Sequence, residues 1–225
     1  MLRSIKQLYG NKLGALDGDI GHVKDFYFND QDWVVRYVIA DTASWLPGRL
    51  VLISPHAFGN FQTEDDSISV QLTRQQIENS PTIESHKPVS RQHEEEYYQY
   101  YGWPSYWDGN GIWGVSGFPV APPPMGDLVD QEKTAISLGK DDDLHLRSMQ
   151  KVIGYHIHTS EGSSGHVTDF IMDDKNWKVH QLVVKIGTWF GGKEILISPT
   201  HIDCISYDES TVFINEPISD LQPQK

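Results

Sequence analysis

The chain has 225 residues, a formal charge of −13 at pH 7, 38% hydrophobic residues and a single cysteine. That size fits two domains near the lower end of the usual range, with small cores filled by the 7 Trp, 10 Tyr and 8 Phe. The acidic balance, with no basic stripe near Arg3, Lys6 and Lys12, argues against DNA or RNA as partner, since such binding is built from Lys and Arg displacing counterions. Cys204 alone excludes an internal disulfide and a four-thiolate zinc site. No apolar run approaches a signal peptide or a membrane span, so a cytoplasmic protein without membrane insertion is expected.

In chain order, Leu8 to Asp17 carries short-strand and turn chemistry rather than helix, and Asp17-Gly18 marks a tight reversal. His22 to Phe28 reads as a strand closed by the polar turn Asn29 to Asp32. Trp33 to Ala40 reads as the most apolar, central strand. Leu50 to Ile53 follows and ends at Ser54-Pro55, because proline lacks the donor a continuing ladder needs. Ile68 to Leu72 is a last alternating strand, and Thr73 N-caps a short helix from Arg74 to Ile77.

The same text then returns. Trp33 and Trp177 stand 144 positions apart (177 − 33), and that one offset superposes Leu2-Arg3-Ser4 on Leu146-Arg147-Ser148. It also superposes Gly21-His22-Val23 on Gly165-His166-Val167, Asp25-Phe26 on Asp169-Phe170, Trp45 on Trp189, and Leu52-Ile53-Ser54-Pro55 on Leu196-Ile197-Ser198-Pro199. A repeat this long implies that each copy is a complete unit with its own core. The expected fold is mainly β: two tandem small antiparallel barrels, residues 1–88 and 141–225, joined by an aromatic, Pro/Gly-rich linker at 89–140. In the linker, His93 to Tyr101 supports one or two helical turns stopped by Gly102 and Pro104. Tyr97, Tyr101, Trp103, Trp107 and Trp113 carry too much apolar area to hang in solvent, and form a candidate interaction surface that docks on a barrel, spans a dimer interface or awaits a partner.

Those glycines, the Val-x-Asp-Phe strand start and the Leu-Ile-Ser-Pro strand end resemble the PRC-barrel family, named for the cytoplasmic part of the photosynthetic reaction centre H chain. The resemblance covers Leu2 to about Pro81 and Leu146 to about Gln222. It implies a small β-barrel and supplies no catalytic residues. Known relatives imply either an assembly role beneath membrane subunits or docking of a maturation factor on the small ribosomal subunit. The tandem form is similar to widespread bacterial PRC-barrel proteins.

His22 with Asp25, and His166 with Asp169, are the weaker polar-site candidates, because a His–carboxylate pair builds proton relays and oriented metal ligands. In a regular strand, however, i and i+3 face opposite ways unless a bulge intervenes, which favours structural bonding of the Asp to turn backbone. His156, His158, His180, His201, Asp203 and Cys204 are the residues a metal-linked or small-ligand enzyme would use. No nucleophile elbow or phosphate loop is present. The expectation is a non-enzymatic scaffold or adaptor without cofactor or metal, binding an unidentified protein. The alternatives are that enzyme and a ribosome-associated factor working through a basic ribosomal protein; exposed sheet edges leave homodimer pairing open.

Overall fold

A computed structural model describes residues 1–42, 45–46, 49–58, 63–64, 67–81, 89, 91–109, 111–114, 118–119, 145–187 and 192–217. The first half contains β1 (Leu2–Ser4), α1 (Ile5–Leu8), β2 (Lys12–Ala15), β3 (Gly18–Asn29), β4 (Val34–Asp41), β5 (Leu50–Ile53), β6 (Thr63–Glu64), β7 (Ser67–Ser69) and α2 (Arg74–Glu78). The connector contributes α3 (Arg91–Tyr101). The second half contains β8 (Leu146–Ser148), α4 (Met149–Val152), β9 (His156–Thr159), β10 (Gly162–Asp173), β11 (Val179–Ile186), β12 (Lys193–Ile197), β13 (Ile202–Ser206) and β14 (Thr211–Ile214).

The strands make two sheets with the same internal order, β5-β4-β3-β2-β7-β6 and β12-β11-β10-β9-β14-β13. Two features correct the expectation of closed antiparallel barrels. Among the described residues neither ladder closes, and β2 with β7, like β9 with β14, pairs in parallel. The chain must travel through β3, β4 and β5 before returning beside β2, so the closing strand arrives in the same direction.

The seventh strand of each sheet comes from the other half. β1 pairs with β10 through Leu2↔Asp173, Arg3↔Met172 and Ser4↔Ile171, and β8 pairs with β3 through Tyr27↔Ser148, Phe28↔Arg147 and Asn29↔Leu146. Each half thus completes its neighbour's sheet, and the expectation of two units with separate cores gives way to one continuous core. Phe28 meets Phe170 with ring centroids 5.5 Å apart, and Ile5, Leu13, Val38, Val167, Leu182 and Ile197 are all buried within the same cluster.

Locally, sequence and structure agree on chemistry more than on boundaries. Thr73 caps α2 in a full capping box with Gln76. α3 runs three turns instead of one or two and ends in a Schellman motif: Gly102 takes φ +67, its amide donates to Gln99, and the Trp103 amide donates to Tyr98. α1 was not expected, although Ser4 N-caps it. Trp33 and Trp177 do not open strands. They close the preceding turns in the left-handed region, at φ 59 and 62, and are buried. That conformation is costly for a bulky residue, and here it aims two carbonyls across the halves: Trp33 accepts from the Val179 amide at 2.7 Å and Trp177 from the Val35 amide at 2.8 Å. Gly21 and Gly165 are glycines because the next strand passes so close. A Cβ there would stand 1.9 Å from the Asp41 carbonyl oxygen and 2.4 Å from that of Lys185.

Candidate functional site

Three regions gather chemistry. The first is the exchange junction, where the expected Asp25 and Asp169 are found. A register shift between Val23 and Asp25 lets Val23 and Phe26 both face the core, which turns Asp25 toward the other half. Asp25 accepts from the Ser148 hydroxyl at 2.5 Å, the Gln150 amide at 3.0 Å and the Phe26 amide at 2.7 Å. Asp169 does the same with Ser4 at 2.5 Å, Lys6 at 2.9 Å and Phe170 at 2.8 Å. Each carboxylate reinforces the N-terminus of the helix that follows the exchanged strand. Burial pushes the Asp25 carboxyl above its usual range, against the pull of Ser148 and the two amides. Asp30 holds Arg147 at 2.6 Å and His145 at 2.9 Å, as Asp174 holds Arg3 at 3.0 Å.

The histidines three residues before these aspartates do not meet them, and the aspartates bond backbone amides, as strand geometry favours. No hydrogen bond or ion pair joins His22 to Asp25 or His166 to Asp169 among the described residues. His22 is exposed, and His166 stands opposite His156 in the β9–β10 ladder. His158 packs on Phe213 and His201 pairs with Glu216 at 2.9 Å. Among the described residues no group of three or more His, Cys, Asp or Glu gathers as an enclosed metal site would require.

The second region is the seat of the connector on the first half, and it absorbs most of the candidate surface. Tyr97 is fully buried. Its hydroxyl donates to the Leu52 carbonyl at 3.0 Å and accepts from the Ser54 amide at 3.0 Å, closing the outer edge of β5. Glu94, 0% exposed, accepts from the hydroxyls of Tyr37 at 2.7 Å and Tyr106 at 2.8 Å and pairs with Arg91 at 3.1 Å, so its buried charge is compensated. Arg36, 1% exposed, bonds Asp32 and the Ile112 carbonyl and lies 3.9 Å over the Tyr106 ring and 4.9 Å from that of Trp113. His56 stacks on Trp103, meets Trp113 edge-on and bonds Ser54 through Nδ1 at 3.0 Å. Burial, with the Arg36 charge adding to it, pushes that imidazole down to about 4. Burial likewise raises the Tyr37 and Tyr97 hydroxyls well above their usual range. Trp113, also buried, donates from Nε1 to the Asn176 carbonyl at 2.8 Å and so reaches the second half. Tyr101, Trp103 and Trp107 are half-buried, with Tyr101 and Trp103 stacked at 4.4 Å. Sequence reasoning singled out the aromatics and missed their polar receptors, Tyr37, Glu94 and Arg36. A buried-strand reading of Trp33 to Ala40 that contains an arginine was the available signal.

The third region is a cleft of about 1050 Å³ where the halves and connector meet. Trp33, Ile112, Arg147, Lys178, His180, Ser198, Thr200, Asp203 and Cys204 stand on its walls. Trp45, half-buried, donates to the Ile20 carbonyl at 3.0 Å beneath Arg74; its counterpart Trp189 lies outside the described residues.

Residues 149–221 match the family model of the PRC-barrel domain. No curated protein matches the chain. The match begins at α4 and therefore omits β8, the strand given to the other sheet.

Proposed function

We propose that this chain is a non-enzymatic scaffold or adaptor of tandem PRC-barrel form, its first half being a second, diverged copy of the domain matched by the second. The shared strand order and the constant offset of 144 residues (177 − 33) support that reading. One observation carries the function: among the described residues, the outer sheet face covered by the connector in the first half is open in the second. Arg36, Leu52, Ser54 and His56 are buried, whereas their counterparts His180, Leu196, Ser198 and Thr200 are exposed or half-exposed. A face held rigid by a shared core and left uncovered is suited to receiving a protein. The adaptor works without cofactor or metal, in the cytoplasm, and binds no nucleic acid. Capture from a cell lysate, comparing the parent chain with a His180→Glu, Leu196→Asp variant, tests it. A stoichiometric partner lost from the variant is expected; identical capture by both chains sinks the assignment.

The cleft favours a second reading, a small-ligand site using His180, Asp203 and Cys204. Metal analysis of the purified protein and ligand-dependent thermal shifts abolished by His180→Ala would select it over the adaptor.

A further inference from the structure

We propose that the surface of the second half carries a site for a divalent transition-metal ion of the zinc, nickel and copper class, held by His156 and His166. Neither histidine lines the cleft. The site goes beyond the adaptor reading, which needs no metal.

Strand pairing places the two residues together. His156 on β9 stands directly opposite His166 on β10. The His156 amide donates away from β10, to the Ser210 carbonyl at 2.9 Å, while Val167, beside His166, spends both backbone groups toward β9, on Gly154 at 2.8 Å and Tyr155 at 2.9 Å. His156 and His166 are therefore a non-hydrogen-bonded pair, the kind whose Cα atoms approach to about 4.5 Å and whose side chains leave the sheet on one face. Imidazole nitrogens bound to one zinc at about 2.0–2.1 Å stand about 3.3 Å apart, within reach of side chains so placed. Ile157 and Val167, the next residues on each strand, are buried, so the two histidines point to the solvent side, His156 exposed and His166 half-exposed. Neither ring makes a hydrogen bond or ion pair among the described residues, which leaves both able to turn to an ion.

The surroundings suit a cation. Lys185, opposite His166 on β11, lays Cγ and Cε against Gly192 just before β12, which draws its chain off the histidines. The turn whose Ser210 carbonyl receives the His156 amide carries Asp208 and Glu209, and the chain's charge of −13 adds to their field. No third His, Cys, Asp or Glu joins the pair among the described residues, so water fills the ion's other positions and the site is open and exchangeable. His158, further along the same face, lies over the Phe213 ring at 5.4 Å and stays outside it. Two imidazoles select zinc, nickel or copper over magnesium and calcium, which take oxygen ligands. The first half supplies the contrast. At the equivalent positions Lys12 stands opposite His22, and a lysine brings a repelling charge in place of a ligand.

The test uses the untagged full chain, stripped with EDTA and titrated with Zn²⁺ in a calorimeter. One ion per chain is expected, with affinity lowered about tenfold or more by His156→Ala or His166→Ala and unchanged by His22→Ala. Circular dichroism confirms that each variant stays folded. Because the ion clips β9 to β10 only in the native sheet, zinc should raise the thermal midpoint of the parent chain and leave that of His166→Ala where it was. Magnesium at the same concentration should move neither. Three results overturn the inference. One is no saturable binding up to about 1 mM Zn²⁺. Another is zinc binding that His156→Ala and His166→Ala both retain; if His180→Ala then abolishes it, the ion belongs to the cleft and favours the small-ligand reading. The third is magnesium binding as tight as zinc, which would make the site one of oxygen ligands. Absence of zinc binding, with lysate capture still sensitive to the His180→Glu, Leu196→Asp variant, rejects the metal site and leaves the adaptor standing.

Discussion

Arg36 and His180 occupy the same bulged position on the same strand of two sheets with the same order, yet one is 1% exposed and the other lies open. The residues around them follow suit: Tyr37 becomes Gln181, Leu50 becomes Glu194, and His56 becomes Thr200. The inward-facing residues change far less, with Val23 and Val167, Phe26 and Phe170, and Ile53 and Ile197 retained. A single sheet can therefore hold one core while its outer face is either sealed by an aromatic segment or left polar and available. What differs between the halves is the chemistry of coverage.

The largest effect expected comes from separating the halves. Fragments 1–119 and 145–225, made apart, each leave a sheet without its seventh strand and a shared core half exposed, so neither folds. Co-expressed, they assemble and copurify. Independent cooperative unfolding of either fragment alone would break the picture of reciprocal completion.

Within the intact chain, Trp113→Ala on the sealed face costs about 3 to 5 kcal/mol, as for other fully buried aromatics. The measurement is urea unfolding with the slope held common. A loss comparable to that of an exposed-site change would show the connector to be loosely seated.

Acid sharpens the same contrast. His56 ionises near 4 in the native chain against an ordinary 6.5. Between these values the unfolded chain takes up a proton that the native state refuses, so stability complete above pH 6.5 is lost as the pH falls toward 4. The loss is about 3 kcal/mol. Asp25, whose carboxyl burial pushes up, gains its proton first in the native state and offsets part of it. His56→Gln should reduce the pH dependence between about 6.5 and 4, leaving the part due to His93, whose imidazole burial also pushes down, with Thr200 in the second half contributing nothing there. An unchanged slope would mean the ring is not held neutral.

The two carboxylate caps differ more subtly. Asp25→Ala strips three donors at a buried site and costs about 2 to 3 kcal/mol, while Asp169→Ala, half-exposed, costs about 1 kcal/mol. Equal losses would make the junction symmetric in energy as well as in geometry. Smallest of all, His180→Ala stays within about 0.5 kcal/mol of the parent. A larger loss would show that the open face is structurally occupied.

Much of this was written locally. Alternation and β-branched content marked His22 to Phe28 and Leu50 to Ile53 as strands, Thr73 marked a helix start, and Gly102 with Pro104 marked a helix end. Each signal depends only on neighbours along the chain, such as a cap three residues away, a side-chain period of two or a missing amide. The aromatic weight of 97–113 likewise marked a segment that must be buried somewhere, because exposing that area to water is too costly.

The sequence determined the repeat, the strands and the need to cover those aromatics. Only the tertiary structure decided which half gives a strand to which sheet, since Leu2-Arg3-Ser4 and Leu146-Arg147-Ser148 are identical triplets and either satisfies the same edge. The same indifference hid the partners of Asp25 and Asp169, which cap a helix more than a hundred residues away because a bulge turns them outward. It also hid the seat of Glu94. A carboxylate in a helix's first turn looks solvated until Tyr37, Tyr106 and Arg91 converge on it, and that convergence exists only once two distant segments have packed together.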